Sequence, residues 1–348
     1  MLGTFDSQDV TVLLKDITGL VEPMSTSERE IRIQNGIPYC EMLPIEYEPS
    51  VQYMEAYKWA LKSHGRQVAQ AAANAALGIQ QRHGSRAVLV SLARAGTTAG
   101  ILIRRYAEQF LQSDFPHYTI SIIRGVGIDK NAMRHILKRH APQDLQFVDG
   151  WTGKGAILQE LRRAVQEFAG VDPGLAVLAD PACIASVWGT REDLLIPGSC
   201  LNSTVCGLLS RTFLRPDIIG PKDFHGAAFY QHLRSQDLTD AYLAAIEKHF
   251  PDLEPLPAPD ADTDPAAEVT AVQRDFGIRD VNHIKPGIGE ATRVLLRRLP
   301  WKILVHSLDD IEHLGHLYAL AAEKGVPVEL YPLRAYRACG LIREFADV

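Results

Sequence analysis

LQFVDGWTGKGAIL, residues 145–158, decides how the rest of the chain is organised. Leu145 to Val148 form a short apolar run of the kind that favours a strand, and Asp149 closes it. Gly150, Thr152, Gly153, Lys154 and Gly155 make a small loop, after which AILQELRRAVQEFAG (156–170) takes up a helical period. A strand, a glycine loop and a helix in that order leave unpaired amides and the positive end of a helix dipole at the loop, where phosphate binds readily. Thr152 would add a hydroxyl and Lys154 a charge. The P-loop pattern GxxxxGK[ST] is not met: Val148 stands at its first glycine and Gly155 follows the lysine. A tight strand-to-helix turn without a ligand is the alternative.

The neighbouring segments repeat the theme. AVLVSLA (87–93), YTISIIR (118–124) and LAVLAD (175–180) are further apolar runs, separated by the helical patterns TTAGILIRRYAEQFLQ and DKNAMRHILKRH. Buried strands alternating with amphipathic helices predict an α/β fold with a parallel sheet covered on both faces. Residues 51 to 83 read as one long helix, alanine-rich in its second half. In such a sheet ligands bind at the carboxyl ends of the strands, where the strand order reverses. That rim carries Arg94, Ala95, Gly96 and Thr97, then Arg124, then Asp149 to Gly155, then Asp180. Arginines suit anionic groups and glycines let the backbone approach them.

The whole chain has 348 residues and a net charge of −6, with 46% hydrophobic and 22% charged residues. That suits a soluble globular protein of two domains and excludes a chain-wide basic surface for nucleic acid. The start, MLGTFDSQDV, has acids where a secretory signal would be basic, and no apolar stretch is long enough to span a membrane. Five cysteines without a CxxC imply neither a disulfide framework nor a zinc knuckle, so a reducing cytoplasm is expected. Residues 251–268, with five prolines, six acids and no basic residue, read as an extended linker between domains at 1–250 and 269–348.

The C-terminal part opposes the overall charge. Between residues 282 and 305, Lys285, Arg293, Arg297, Arg298 and Lys302 face Glu290 alone. Arg293 and Arg297 share a helix face beside the KPGIG turn, a basic face suited to an RNA backbone or simply to solvent. Strands WKILV and PVELYP and the helix LGHLYALAAEKG, opened by Ser307, make a small α/β sandwich. His306, His313 and His316 lack a supporting ligand set and read as surface residues.

Two resemblances follow from these motifs. VDGWTGKG is similar to the phosphoribosyl-diphosphate loop of type I phosphoribosyltransferases, and LARAGTTAG to the loop that cradles their diphosphate leaving group. With LADPACIASVWGTREDLLIPGSCLNSTVCGLLSRT and DFHGAAFYQHL, residues 20 to 250 resemble the StiP-type phosphoribosyltransferase-like family of tellurite-resistance and stress gene clusters, earlier labelled cysteine proteases. The resemblance implies a transferase that uses phosphoribosyl diphosphate with Mg²⁺, making a nucleoside-like metabolite or modifying RNA. The Mg²⁺ would ride on the substrate's phosphates, with Asp149 the one protein group in a position to touch it. Asp149 would bind ribose hydroxyls, Thr152 to Gly155 the 5′-phosphate, and Arg94, Ala95, Gly96 and Thr97 the diphosphate. Asp180, Arg124 and Arg211 would line the remaining contacts. A single Asp149 after Phe147–Val148 departs from the two adjacent acids of the usual motif. The C-terminal segment resembles the pelota-type RNA-binding domain, whose G-x-N-E-x-x-K signature corresponds to Gly287, Gly289, Glu290 and Arg293, with Gly289 in place of the Asn. PLRAYRACGLI corresponds to its second RNA-facing loop, near Arg334.

Other readings stay open. Cys183, Cys200 and Cys206 lie near glycines and prolines, and His225 is a conceivable partner, but buried thiols commonly just pack. Asn202, Ser203, Thr204 and Arg211 would line a pocket or cap turns. Besides a transferase, the chain would suit a non-catalytic nucleotide-binding RNA sensor or a cysteine peptidase. Trp151 either stacks on a base or plugs a helix edge.

Overall fold

The computed structural model describes residues 2–257 and 259–343. Its larger sheet has six parallel strands: β1 (Thr11–Val12), β2 (Val88–Leu92), β3 (His117–Ile120), β4 (Leu145–Trp151), β5 (Leu175–Ala179) and β6 (Val187–Thr190). Their spatial order is β1-β3-β2-β4-β5-β6, each pair parallel. The strand order reverses between β2 and β4, which lie side by side with Ser91 opposite Val148. Their carboxyl ends therefore form the crevice of the sheet.

Helices cover both faces. Long α1 (Val51–His83) is started by the Ser50 hydroxyl accepting from Tyr53 N and is stopped by Gly84. Ala69, Ala72, Ala73, Ala75 and Ala76 are fully inaccessible, so the alanine run brings the helix backbone close to the sheet. Helix α2 (Ala95–Phe110) follows β2, α3 (Lys130–Leu137) precedes β4, and α4 (Ala156–Ala164) follows it. The opposite face packs Val90, Phe147 and Val177 from the sheet against Met133, Ile136 and Leu161 from α3 and α4. Each such side chain, removed from water, contributes about 1.5–3 kcal/mol before entropy is counted. No helix among the described residues is long and apolar enough to cross a membrane.

The connecting segment is not loose. Gln70 donates to the Glu254 carbonyl at 2.9 Å, and Leu256 N donates to Asn74 Oδ1 at 3.0 Å, pinning the segment along α1. Helix α5 (Pro265–Asp275) begins within the proline-rich stretch, with Pro265 at a first-turn position that needs no N–H donor. Then follow β7 (Ile284–Pro286), α6 (Ile288–Arg297), β8 (Pro300–Val305), α7 (Ile311–Glu323), β9 (Val328–Leu330) and β10 (Ala338–Ile342). These strands form a second sheet in the order β7-β10-β8-β9, parallel only between β8 and β9. Asp310, rather than Ser307, caps α7 by accepting from His313 N.

The two sheets do not sit apart. Ile288, Ala291 and Leu295 of α6 and Leu314 and Leu317 of α7 belong to the same apolar cluster as α1 and β5. The histidines expected at the surface lie at this junction. His316 is buried, accepts or donates a hydrogen bond with Thr292 Oγ1 at 2.8 Å, and stacks on Trp59 of α1. His313 stacks on His64 and is hydrogen-bonded to Asp310. The apolar bulk of Trp59 accounts for the correction, since an imidazole against an indole is shielded from water. No metal-holding group of three or more His, Cys, Asp or Glu occurs among the described residues.

Candidate functional site

A cleft of about 410 Å³ opens where the carboxyl ends of β2 and β4 meet the second sheet domain. The first domain contributes Arg94, Ala95, Arg124, Asp149, Trp151, Thr152 to Gly155, Asn202 and Cys206; the second contributes Lys285, Glu290 and Arg293. Arg94, Ala95, Arg124, Asp149 and Thr152 to Gly155 of the expected rim line the cleft, whereas Gly96, Thr97, Asp180 and Arg211 do not, and the second domain adds a wall that the sequence did not anticipate.

The loop after β4 divides its groups between structure and cleft. Gly155 has φ +87°, a left-handed conformation that turns the chain into α4 without a side-chain cap. The amides of Gly153, Lys154 and Gly155 have no hydrogen-bond partner among the described residues, whereas Thr152 N donates to the Ala179 carbonyl at 3.0 Å. The Thr152 hydroxyl donates to Asp180 Oδ1 at 2.6 Å and accepts from Ala182 N at 3.2 Å. Asp180 is fully inaccessible; it also accepts from Ala185 N at 2.9 Å and pairs with Arg191. Both residues therefore brace the loop from behind. Lys154 points its ammonium at the carbonyls of Val281 and Ile284, and Tyr336 donates to the Gly153 carbonyl at 2.8 Å. Burial and then the charges of Lys285 and Arg124 depress the Lys154 ammonium to about 8.

The loop after β2 behaves similarly. Thr97 is buried, with its hydroxyl 2.7 Å from that of Thr119, and Gly96 is buried at the start of α2. Arg94 reaches across to donate to the Leu209 carbonyl at 2.8 Å and to Asn202 Oδ1 at 3.4 Å. Arg124 is exposed and donates to Asn282 Oδ1 at 2.7 Å. Arg211 lies over the ring of Tyr39 at 5.6 Å; burial first, then Arg94, lowers its guanidinium to about 10.

Asp149 stands at the floor of the cleft. Burial raises its carboxyl to about 6, against the pull of the Gly150 amide and Arg293. Arg293 stacks over Trp151 at 4.5 Å and donates to Glu290 at 3.2 Å, so Trp151 plugs the gap between domains under a guanidinium.

Residues expected to face RNA turn inward. Both oxygens of buried Asp193 accept from Ile288 N, each at 3.0 Å, and one accepts from Arg337 N at 2.9 Å. Gly287 and Gly289 are consequently buried against the first domain, Glu290 and Arg293 are half-buried in the cleft, and Lys285 lines it. Arg334 alone of the expected RNA-facing set is exposed. No feature of TREDLLIP distinguishes Asp193 from a solvated acid, so the sequence reading missed it.

The cysteines separate clearly. Cys40, Cys200, Cys206 and Cys339 are buried, and Cys183 is partly accessible. Only Cys206 among the five lines the cleft. Burial pushes its thiol up, while Arg94, Arg293 and Arg297 pull it down. His225 is hydrogen-bonded to Ser121 at 2.8 Å and is not bonded to a cysteine.

Comparison with known proteins adds a direction. The family described as "Tellurite-like stress resistance cysteine protease StiP" matches residues 3–247, and the PELOTA RNA binding domain matches residues 263–344. A protein named cysteine protease StiP from Acinetobacter baylyi is 34% identical over 364 aligned positions, covering 98% of this chain and 94% of that protein. No solved structure matches. These descriptions name a hydrolase, which overturns the phosphoribosyltransferase activity expected from the loop motifs. With that activity goes the reason for expecting phosphoribosyl diphosphate as substrate and Mg²⁺ as its companion.

Proposed function

This chain belongs to the StiP family of tellurite-like stress resistance cysteine proteases, and from that premise we propose that it is a thiol-dependent hydrolase acting in the cleft between its domains. Cys206 is its nucleophile, and Asp149 receives the thiol proton. The observation that carries this reading is the position of Cys206 on the cleft wall; burial holds its thiol above the ordinary value, and Arg94, Arg293 and Arg297 work against that rise. Cations beside a thiol favour the thiolate, which is the attacking form. An Asp149 carboxyl raised to about 6 is ionised at neutral pH yet basic enough to take a proton. The thiolate adds to the carbonyl carbon of a peptide, the C–N bond breaks, and the amine leaves with the proton. Water then cleaves the thioester and restores the thiol.

Hydrolysis of unfolded casein by the full chain tests this. Cys206→Ser and Asp149→Asn are expected to abolish turnover, and Cys183→Ser, which lies outside the cleft lining, to retain it. Turnover that survives Cys206→Ser but not Cys183→Ser would overturn the assignment.

One observation favours a second reading, in which the cleft binds a ligand without turning it over. Among the described residues no imidazole is hydrogen-bonded to a cysteine; the sulfur of Cys183 meets only Pro181 O and Thr263 Oγ1, both at 4.0 Å. For the C-terminal domain we infer RNA binding, supported by its family description and by exposed Arg334.

A further inference from the structure

The C-terminal domain matches an RNA-binding family, yet its basic helix α6 is docked on the first domain. At the edge of that junction stands a group of cations drawn from both domains. Arg124, in the segment after β3, is exposed and donates across the junction to Asn282 Oδ1 at 2.7 Å. Lys154, in the loop after β4, donates across it to the Ile284 carbonyl at 2.9 Å, one residue before Lys285. Arg124, Lys154 and Lys285 share the cleft where the two domains meet. Arg298, exposed just past the end of α6, continues the group. Its field and that of Arg124 bear on Lys285, as those of Lys285 and Arg124 bear on Lys154.

The same edge extends further over the first domain. The Arg124 amide donates to the Tyr39 hydroxyl at 3.2 Å, and Arg211 lies over the Tyr39 ring at 5.6 Å. The carboxylates that act on Lys154 and Lys285 are those of Asp280 and Glu290, two against the four cations Arg124, Lys154, Lys285 and Arg298. In a chain of net charge −6, a local excess of positive charge points to an anionic partner. Its spread over two domains, with Arg124 and Arg298 open to water, suits the successive phosphates of a strand better than one compact anion. An acidic peptide would match the charge, but Tyr39 set between guanidiniums also offers an unstacked base a ring to lie against.

We propose that an RNA strand bound by the C-terminal domain continues across the domain junction, its phosphates meeting Arg298 and Lys285 and then Arg124 of the first domain, with a base beside Tyr39. This rests on RNA binding by the C-terminal domain and goes beyond it by giving the first domain a share of the contact. Neither Cys206 nor Asp149 takes part.

Fluorescence anisotropy of the full chain with a labelled RNA stem-loop, followed over a series of salt concentrations, tests the proposal. The parent is expected to bind, more weakly as salt rises. Arg124→Gln is expected to lower the affinity about three- to tenfold and to flatten the slope of log K against log salt by about 0.7–0.9, the share of one phosphate contact. Arg86→Gln, at the amino end of β2 and so on the opposite edge of the sheet, is expected to bind like the parent. No binding by the parent would overturn this proposal together with the RNA reading beneath it. Parental affinity in a folded Arg124→Gln protein, or an equal loss in Arg86→Gln, would overturn this proposal alone. Equally tight binding of a DNA stem-loop of the same sequence would overturn RNA as the occupant. If Arg124→Gln does not fold, hydrogen exchange of the parent decides: protection of residues 122–127 by the RNA is expected, and protection confined to residues 263–343 would overturn the proposal.

Discussion

Two helices in this molecule start alike and end up differently occupied. Both α4 and α6 follow a glycine with positive φ, Gly155 at +87° and Gly287 at +98°, and neither has a side-chain cap of its own. At α4 the preceding amides face the cleft without a partner among the described residues. At α6 the first amide is held by both oxygens of Asp193, from the other domain. Either start would attract an anion through its amides and dipole. In one case the anion is the protein's own carboxylate, and the helix serves docking. In the other the residues carrying those amides line the cleft.

The sharpest way to break this contrast is Asp193→Ala. The change removes the acceptor of two backbone N–H groups at the domain junction, Ile288 N, which bonds to both oxygens, and Arg337 N. A loss of roughly 3–5 kcal/mol is expected, the range for removing one partner of a buried charged group. Urea denaturation should show it, and limited proteolysis should cut earlier within residues 253–264. An Asp193→Ala protein as stable as the parent would mean that the carboxylate is not what seats α6.

Much of the frame behind this contrast was legible from sequence. Apolar runs such as AVLVSLA and LQFV can only be satisfied between two helical layers, and the 3.6-residue period of 51–83 announced α1. Taking the residues that follow each apolar run was enough to place Arg94 and Asp149 on one rim, and the strand order then located the crevice. The direction in which groups point was not legible. Thr152 and Asp180 looked like ligand groups, yet they bond to each other behind the loop. Arg293 and Arg297 share a helix face, as read, but that face meets the first domain, and periodicity cannot say what a face meets. The loop's likeness to a phosphoribosyl site led to an activity that the family description does not support, because an amide cradle specifies an anion and not a reaction.

A smaller effect sharpens the comparison from the α4 side. Gly155→Ala forces a residue with a Cβ into the left-handed region and sets that Cβ about 3.1 Å from Ile184 Cδ1. The expected cost is ~1–2 kcal/mol, mostly backbone strain. Gly287→Ala carries comparable strain and also pushes a Cβ to 3.3 Å from Asp193 Oδ1. Thermal melts should therefore drop for both, while earlier proteolysis of the linker should appear only with Gly287→Ala. Early cleavage in both would say that α4, too, holds the domains together.

The remaining effect is one of pH, spread over about two pH units, and it arises beside α6. His316 is hydrogen-bonded to Thr292, whose hydroxyl also donates to the Ile288 carbonyl at 2.8 Å. The imidazole must then donate through Nε2, and with Nδ1 buried and lacking an acceptor for a second proton the ring is neutral. Burial, and then His64, depress it to about 3. The unfolded chain takes up this proton near its ordinary pKa of about 6.5, so the neutral fold keeps its full stability above that pH and loses it as pH falls toward 3. Asp193 works in the opposite sense: burial raises it to about 6, so its contribution strengthens as pH falls through 6 toward the ordinary aspartate value. His316→Gln removes the first trend and leaves the second. Its unfolding free energy is expected to fall less steeply between pH 6 and 4 than the parent's, by up to ~1.4 kcal/mol per pH unit for one proton. Parallel urea-derived profiles for the two proteins would show that the histidine titrates alike in both states, and that the α6 junction is not where acid acts.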